Sequence, residues 1–189
     1  MKLYFVRHGE TENNIDGVRR GWKQIGLTDN GRKQALEAGK KLRNKGIDLI
    51  ITSDLRRAIE IAEIIRDEIG EDTPILYDWL IRELYSGDVP DEQIKEILGD
   101  NHMIIHTDPE SAKQFGSELF SNQTKRTQKF LESLKLLPIK ANNIVVVTHG
   151  GTLMAAQKGL GLKFFSEPRI VENGEVVEYD TGALWKGAK

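Results

Sequence analysis

The sequence predicts an α/β fold in which helices pack on a mostly parallel β-sheet. Short apolar segments with the character of buried strands alternate with longer segments whose apolar residues recur at helical spacing. One segment, Ile144–Val147, consists of four consecutive β-branched residues, which is typical of a central strand covered on both faces. This alternation favours strand–helix–strand units and therefore parallel pairing of the strands.

Five segments are predicted to be strands. The first, Leu3–Val6, is continuously apolar, and the second, Ile47–Ile51, is interrupted only by Asp48. Continuous apolar runs of this length are expected for strands buried in the middle of a sheet. The other three predicted strands are Ile75–Tyr77, Ile144–Val147 and Glu175–Tyr179.

Four longer segments between these strands are predicted to be helices. Thr28 is a suitable N-cap for a helix that ends near Gly46, and Thr52-Ser53-Asp54 is a suitable cap for the next one. The second of these helices continues as an apolar stripe at helical spacing. The remaining two predicted helices are Leu119–Leu137, which is followed by a proline, and Thr152–Leu160.

The whole chain has the length and composition of one globular domain, which we expect to span residues 1–189. Its net charge of −2 gives no indication of a nucleic-acid or membrane-surface binder. The absence of cysteine excludes disulfides, thiol nucleophiles and thiolate metal sites. No stretch approaches the roughly 18 apolar residues of a membrane-spanning helix. We therefore expect a cytoplasmic protein, and its oligomeric state is left open.

Histidine and arginine residues follow three of the predicted strands. Arg7-His8-Gly9-Glu10 follows the first strand, and Thr52-Ser53 with Arg56 and Arg57 follows the second. Thr148-His149-Gly150-Gly151 follows the strand at Ile144–Val147. Ligands of open α/β sheets bind beyond the carboxyl ends of the strands. We therefore expect two histidines and at least two arginines to meet at one edge of the sheet.

This set of side chains suits phosphoryl transfer. A guanidinium group grips phosphate oxygens with two parallel hydrogen bonds, and glycines after each histidine let the backbone approach a ligand. A neutral histidine can act as a nucleophile toward phosphorus. The reaction also needs a proton donor for the leaving oxygen, and a carboxylic acid is the usual one. Glu83, which follows a short predicted strand, is a sensible candidate.

Each of these residues has a plainer interpretation when it is taken alone. A histidine at a strand end, an Arg-Arg pair in a first helical turn or a single glutamate is commonly structural or solvated. The other candidates get such interpretations: Arg19-Arg20 is a solvated or rim pair that could touch a substrate, and His102 and His106 are surface residues. The tryptophans at positions 22, 79 and 185 are taken as packing residues.

Several motifs, in order along the chain, resemble the histidine phosphatase superfamily and, within it, the phosphoglycerate mutase-like branch. They are Arg7-His8-Gly9-Glu10-Thr11-Glu12-Asn13-Asn14, Leu27-Thr28-Asp29-Asn30-Gly31, Ser53-Asp54-Leu55-Arg56-Arg57-Ala58 and Val147-Thr148-His149-Gly150-Gly151. The resemblance extends from residue 3 to about residue 155. It implies a three-layer α/β/α sandwich and a reaction that uses no metal or other cofactor.

The resemblance also implies a role for each matched residue. His8 would accept the phosphoryl group, and Arg7, Arg57 and His149 would hold it. Asn14 would donate a further hydrogen bond. Glu83 would protonate the leaving group and then activate water. Gly150 and Arg20 complete the expected substrate-binding residues.

The middle of the chain departs from the family pattern. The Trp-Glu-Gly often seen after the acid is replaced by Tyr85-Ser86-Gly87. Residues 84–116 are expected to be an irregular insertion over the active site with one short helix near Glu92–Leu98. Within this insertion, residues 88–116 are short for a mutase. We therefore expect a phosphatase that acts on a small phosphorylated metabolite. A cofactor-dependent phosphoglycerate mutase and a non-catalytic phosphate-binding module are the alternatives.

Overall fold

The computed structural model describes residues 1–15, 21–87, 89–137, 141–165 and 169–183. The strands are β1 (Lys2–Arg7), β2 (Leu49–Thr52), β3 (Ile75–Tyr77), β4 (Asn143–Thr148) and β5 (Val176–Asp180). The α-helices are α1 (Glu12–Ile15), α2 (Asp29–Leu42), α3 (Arg56–Ile69), α4 (Asp91–Leu98), α5 (Pro109–Phe115), α6 (Phe120–Ser133) and α7 (Gly150–Met154). A π-helical segment, Ala155–Gly159, continues α7, and 3₁₀ segments cover Trp79–Ile81, Gly99–His106, Leu134–Leu136 and Thr181–Ala183.

The five strands form one sheet in the order β3-β2-β4-β1-β5. β4 pairs in parallel with β1 and β2, and β2 pairs in parallel with β3, whereas β5 is antiparallel to β1. The β-branched segment is thus the central strand, as predicted. The parallel pairing brings the carboxyl ends of β1, β2 and β4 to one edge of the sheet.

Helices cover both faces of the sheet, so the α/β/α sandwich is confirmed. On one face Tyr4 and Val6 pack with apolar residues of α2 and α3. On the other face Leu3 and Phe5 pack with α6 and the π-helical segment. Successive residues of a strand point to opposite faces, so a continuously apolar β1 contributes to both cores. Each helix in the described part of the chain is too short or too polar to cross a lipid bilayer.

The beginning of α3 differs from the prediction. Thr28 caps α2 as expected, since its side chain accepts a hydrogen bond from the Gly31 amide. In contrast, α3 begins at Arg56, and its N-cap residue makes no side-chain cap bond. The predicted cap residues are engaged elsewhere: the Ser53 hydroxyl lies 2.8 Å from Nε2 of His149, and Asp54 forms an ion pair with Arg82.

Residues 84–116 are more regular than predicted. The short helix near Glu92–Leu98 is present as α4, but the 3₁₀ segment Gly99–His106 and α5 follow it. Asp108 caps α5 by accepting a hydrogen bond from the Ser111 amide, and Pro109 occupies the first turn. An Asp-Pro pair of this kind favours a helix start. The prediction of an irregular segment overlooked that signal.

Candidate active site

His8 and His149 lie side by side at the carboxyl edge of the sheet. β1 and β4 pair with Arg7 opposite Thr148, and the His8 amide donates to the Thr148 carbonyl at 2.9 Å. The two imidazole rings are 5.2 Å apart between centroids and are inclined by 52°. Both side chains are buried. Two histidines that are 141 positions apart in sequence are therefore brought together by strand register.

The hydrogen bonding of His8 leaves one ring nitrogen available as a nucleophile. Nδ1 lies 2.8 Å from the carbonyl oxygen of Gly9. A carbonyl can only accept, so Nδ1 carries the proton and Nε2 keeps its lone pair. Burial, followed by the nearby Arg57 and Arg7 guanidinium groups, lowers the pKa of His8 well below its ordinary value of 6.5, and the bond to Gly9 opposes this only in part. His8 is therefore neutral at pH 7, as a nucleophile must be.

His149 presents a buried ring nitrogen that has no hydrogen-bond partner among the described residues. Its Nε2 lies 2.8 Å from the Ser53 hydroxyl, and its buried Nδ1 makes no hydrogen bond. Burial, followed by the charges of Arg57 and His8, lowers the pKa of His149 well below 6.5. If the hydroxyl donates to Nε2, Nδ1 of the neutral ring carries the proton. A buried donor without a partner is uncommon in proteins, and an anion would satisfy it.

The two arginines supply positive charge next to the histidines. Arg7 donates from Nη1 to the Val171 carbonyl at 2.8 Å, and its buried Nε is a second donor that lacks a described partner. Arg57 donates to the carbonyls of Gly21 and Lys23 at 3.0 and 3.2 Å. Burial lowers the pKa of both arginines, but a guanidinium stays protonated in proteins. The carbonyl contacts fix both cations without neutralising them.

Glu83 reaches the same centre from a loop that is firmly held. Its Oε1 accepts from the Leu84 and Gly151 amides at 2.8 and 3.0 Å. Its main-chain carbonyl accepts from Nε1 of Trp22 at 2.8 Å and from Nη2 of Arg126 at 2.9 Å. A Cβ on residue 151 would lie 2.2 Å from Oε1 of Glu83, so any side chain there would displace the carboxylate from its position on α7.

His8, Glu83 and His149 each offer one atom that could bind a metal ion. These three atoms lie within 4.8 Å of one another, a spacing that would suit such an ion. The electrostatics favour a different ligand. Arg7 and Arg57 contribute two full positive charges beside this set, which outweigh the single negative charge that Glu83 carries when it is ionised. A cation would be repelled, whereas a tetrahedral anion would be attracted and would satisfy the buried donors.

A cavity of about 370 Å³ opens from this centre. Of the remaining predicted residues, Asn14 and Gly150 line it, and Oδ1 of Asn14 accepts from the Thr11 amide and hydroxyl at 2.9 Å. Arg20 lies outside the described residues. The described lining comprises Arg7, His8, Thr11, Asn14, Gly21, Arg57, Glu83, Leu84, Ser86, Met103, His106, Thr107, Phe120, Gly150, Gly151, Met154 and Ile170.

Two predictions for individual residues were wrong, and a third was incomplete. His106 is not a surface residue: it is 3% exposed, its Nδ1 lies 2.9 Å from the Glu118 carbonyl, and it lines the cavity. Trp79 is not a packing residue, since it is 55% exposed. Trp22 does more than pack, because its indole N–H holds Glu83. His102 is partly exposed, and Trp185 lies outside the described residues.

Arg126, on α6, was missed altogether. It forms a buried ion pair with Glu118, with Nε–Oε1 and Nη2–Oε2 distances of 2.8 and 2.9 Å. It also donates to the carbonyls of Leu80, Arg82 and Glu83. Most of its partners are main-chain carbonyls of a distant loop, which no side-chain motif reveals. The one sequence signal for a buried Arg126 is Glu118, an oppositely charged residue eight positions earlier.

Comparisons with known proteins agree with this arrangement. Residues 3–183 match the histidine phosphatase superfamily (branch 1). The probable phosphoglycerate mutase GpmB of Salmonella paratyphi A is 32% identical over 177 residues, which cover 90% of this chain and 80% of that protein. A 2,3-bisphosphoglycerate-dependent phosphoglycerate mutase of Bartonella quintana is 27% identical, over 81% of this chain and 78% of its own.

Solved structures of other proteins superpose on this chain over most of its length. Bacillus stearothermophilus YhfR superposes with a TM-score of 0.77 at 30% identity and covers 94% of this chain and 89% of its own. A mycobacterial glucosyl-3-phosphoglycerate phosphatase in complex with VO3 gives a TM-score of 0.75 at 25% identity, over 94% and 91%. With the family match extending over nearly the whole sequence, the chain belongs to branch 1 of the histidine phosphatase superfamily.

Proposed function

We propose that the protein is a phosphomonoester phosphatase that acts on a small phosphorylated metabolite through a phosphohistidine intermediate. The observation that carries the proposal is the neutral His8 with an available Nε2, next to two buried donors without described partners and two arginines. These groups surround a space that suits one phosphoryl group. They provide the positioning and charge neutralisation on which phosphoryl transfer depends.

The first step breaks the ester bond. Nε2 of His8 attacks phosphorus with its lone pair, and the electrons of the breaking P–O bond pass to the leaving oxygen. Glu83, in its acid form, donates a proton to that oxygen and becomes a carboxylate. Arg7, Arg57 and the Nδ1–H of His149 neutralise the negative charge on the three transferring oxygens.

The second step regenerates the enzyme. The Glu83 carboxylate takes a proton from water as the water oxygen attacks phosphorus, and the P–N bond electrons return to His8. Inorganic phosphate leaves with neutral His8 and protonated Glu83 restored. In this scheme Asn14 donates a hydrogen bond to the phosphoryl group from its amide nitrogen. Gly150 allows close approach, and Arg20 stays an expected substrate-binding residue that lies outside the described part of the chain.

A labelling experiment tests the intermediate. Incubation with a ³²P-labelled aryl phosphate, followed by an alkaline quench, should trap label on the protein, because phosphohistidine survives base. His8→Ala should abolish both the label and turnover, whereas His102→Ala, at a partly exposed histidine outside the described cavity lining, should retain both. Turnover by the His8 variant at the parental rate would reject the mechanism. A phosphate-binding protein without activity would support the non-catalytic alternative.

A phosphoglycerate mutase remains the second candidate because the curated relatives at 27–32% identity carry that name. A mutase would return the phosphoryl group from His8 to a sugar acid instead of to water. Isomerisation of 3-phosphoglycerate that requires a bisphosphoglycerate primer would identify it. For the phosphatase, we expect phosphate release without a primer. A cytoplasmic location remains our expectation, and assembly into a homo-oligomer is left open.

A further inference from the structure

The cavity beyond the phosphoryl site has an apolar wall, and its position defines the other half of the substrate. On the basis of the proposed function, we propose that the preferred substrate is a phosphomonoester whose leaving group is an apolar alcohol or phenol without a second anionic group. The wall, called the leaving-group wall below, consists of Leu84, Met103, Phe120, Met154 and Ile170.

The leaving-group wall begins where the leaving oxygen must be. Leu84 directly follows Glu83, the proposed proton donor, and its amide donates to the Glu83 carboxylate. The other four side chains come from four different parts of the fold: the 3₁₀ segment after α4, the first residue of α6, the last residue of α7 and the loop before β5. Their convergence on one cavity surrounds the departing group with apolar surface.

Two members of the leaving-group wall are exposed although they are large and apolar. Met103 is 45% and Ile170 is 60% exposed. Exposed apolar side chains that converge on one cavity indicate a binding surface. An apolar leaving group would cover both and so remove their contact with water. A sugar acid or a bisphosphorylated leaving group would instead place charge against them without hydrogen-bond partners.

The charges on the cavity have the same implication. Among the described lining residues the cationic side chains are Arg7 and Arg57, and both serve the phosphoryl end. The polar members farther out are Ser86, Thr107 and His106, and Nδ1 of His106 already faces the Glu118 carbonyl. A carboxylate or second phosphate on the leaving group would find no guanidinium or ammonium group among these described lining residues. Arg19 and Arg20 lie outside the described residues, so the experiment addresses Arg20 directly.

The size of the cavity limits the leaving group. A volume of 370 Å³ corresponds to roughly twelve times the 30 Å³ that one water occupies in the liquid. The phosphoryl group occupies part of this volume, and the rest is enough for an alkyl chain of several carbons or for one aromatic ring.

A series of n-alkyl phosphates from two to eight carbons tests the proposal. The leaving alcohols beyond ethanol have nearly equal acidity, so the series varies apolar surface alone. We expect kcat/KM to rise about fourfold for each methylene that becomes buried. A terminal carboxylate on the six-carbon ester should lower kcat/KM at least tenfold relative to hexyl phosphate. A flat series, or a preference for the carboxylate, would overturn the proposal.

Variants identify the surface responsible. Two variants, Ile170→Lys and Met154→Lys, should each lower kcat/KM for hexyl phosphate about tenfold and raise it for the carboxylated ester. Because Ile170 is largely exposed, the Ile170→Lys protein should fold normally. Leu76→Lys, at an exposed apolar residue of β3, is the matched control and should change neither. If the parent protein prefers the carboxylated ester and Arg20→Met removes that preference, Arg20 binds an anionic leaving group and the proposal is wrong.

The outcomes separate this proposal from the function on which it rests. Turnover that depends on His8 but not on chain length would leave the phosphatase proposal intact and remove only the substrate class. Failure to hydrolyse any alkyl or aryl phosphate would remove both.

Discussion

Replacing Arg126 by methionine tests whether a buried ion pair holds the loop that carries Glu83. Arg126 is 6% exposed and makes five contacts of 2.7–2.9 Å: two with the Glu118 carboxylate and three with carbonyls of Leu80, Arg82 and Glu83. Removing one partner of a buried pair leaves the other charge uncompensated, at a cost of about 3–5 kcal/mol. We expect the free energy of unfolding to fall by that amount.

Urea unfolding at pH 7.5, followed by circular dichroism, measures this change. The control is Arg43→Met, which removes a surface ion pair with Glu68 and should cost less than about 1 kcal/mol. Adding Glu118→Leu to Arg126→Met should recover part of the loss, because the unpaired carboxylate is then gone. A loss below about 1 kcal/mol for Arg126→Met, with an unchanged denaturant slope, would refute the reasoning.

The same variant separates positioning from stability. Arg126 is not among the described residues that line the cavity, and it acts on Glu83 only through the main-chain carbonyl. At temperatures where the variant stays folded, we expect kcat to fall by about tenfold to a hundredfold, since a displacement of about 1 Å can cost that much. KM should change little. Arg126→Lys keeps the charge but lacks the planar fork, and it should rescue kcat only in part.

Three further predictions concern the site. The buried histidines His8 and His149 have pKa values below those of the unfolded chain, so their contribution to stability is complete above pH 6.5 and is lost as the pH falls below it. The free energy of unfolding should fall by up to about 1.4 kcal/mol per histidine per pH unit; urea midpoints that do not shift between pH 7 and 5.5 would contradict this. Gly151→Ala should displace the Glu83 carboxylate and lower kcat at least tenfold while the protein stays folded, as checked by steady-state kinetics and circular dichroism; parental kcat would mean that the carboxylate can move without effect. Trp22→Phe removes one donor to the Glu83 carbonyl and should lower kcat severalfold with KM nearly constant; an effect on KM alone would point to substrate contact instead.

The sequence was sufficient to predict the strands and the helix cap that depend on neighbouring residues alone. The continuous apolar segments became the strands of one sheet, and Thr28 capped α2, because burial and capping depend on neighbouring residues. The pairing of His8 with His149 was also predictable, since parallel strands end at one edge. Whether these residues and Glu83 perform the proposed chemistry stays a prediction until it is measured.

The features that escaped prediction depend on distant partners. Ser53 looked like a helix cap, but His149, 96 positions away, takes its hydroxyl. His106 is polar and lies in a polar segment, yet its contact with the Glu118 carbonyl allows it to be buried. Arg126 binds main-chain carbonyls, which every residue possesses. The amino-acid sequence of the loop that carries Glu83 therefore does not indicate which of its residues Arg126 contacts. Tertiary hydrogen bonds to the main chain leave no pattern in a sequence.

The pairing of β1 with β4 has a consequence for how the protein matures. His8 directly follows β1, but the strand beside it, β4, begins only at Asn143. Closing so long a loop is entropically costly, and it cannot occur before β4 itself has been made. A nascent or truncated chain without β4 would carry His8 and no site around it. Catalytic activity should therefore appear only with the complete sheet, and its recovery can serve as a sensitive reporter of refolding.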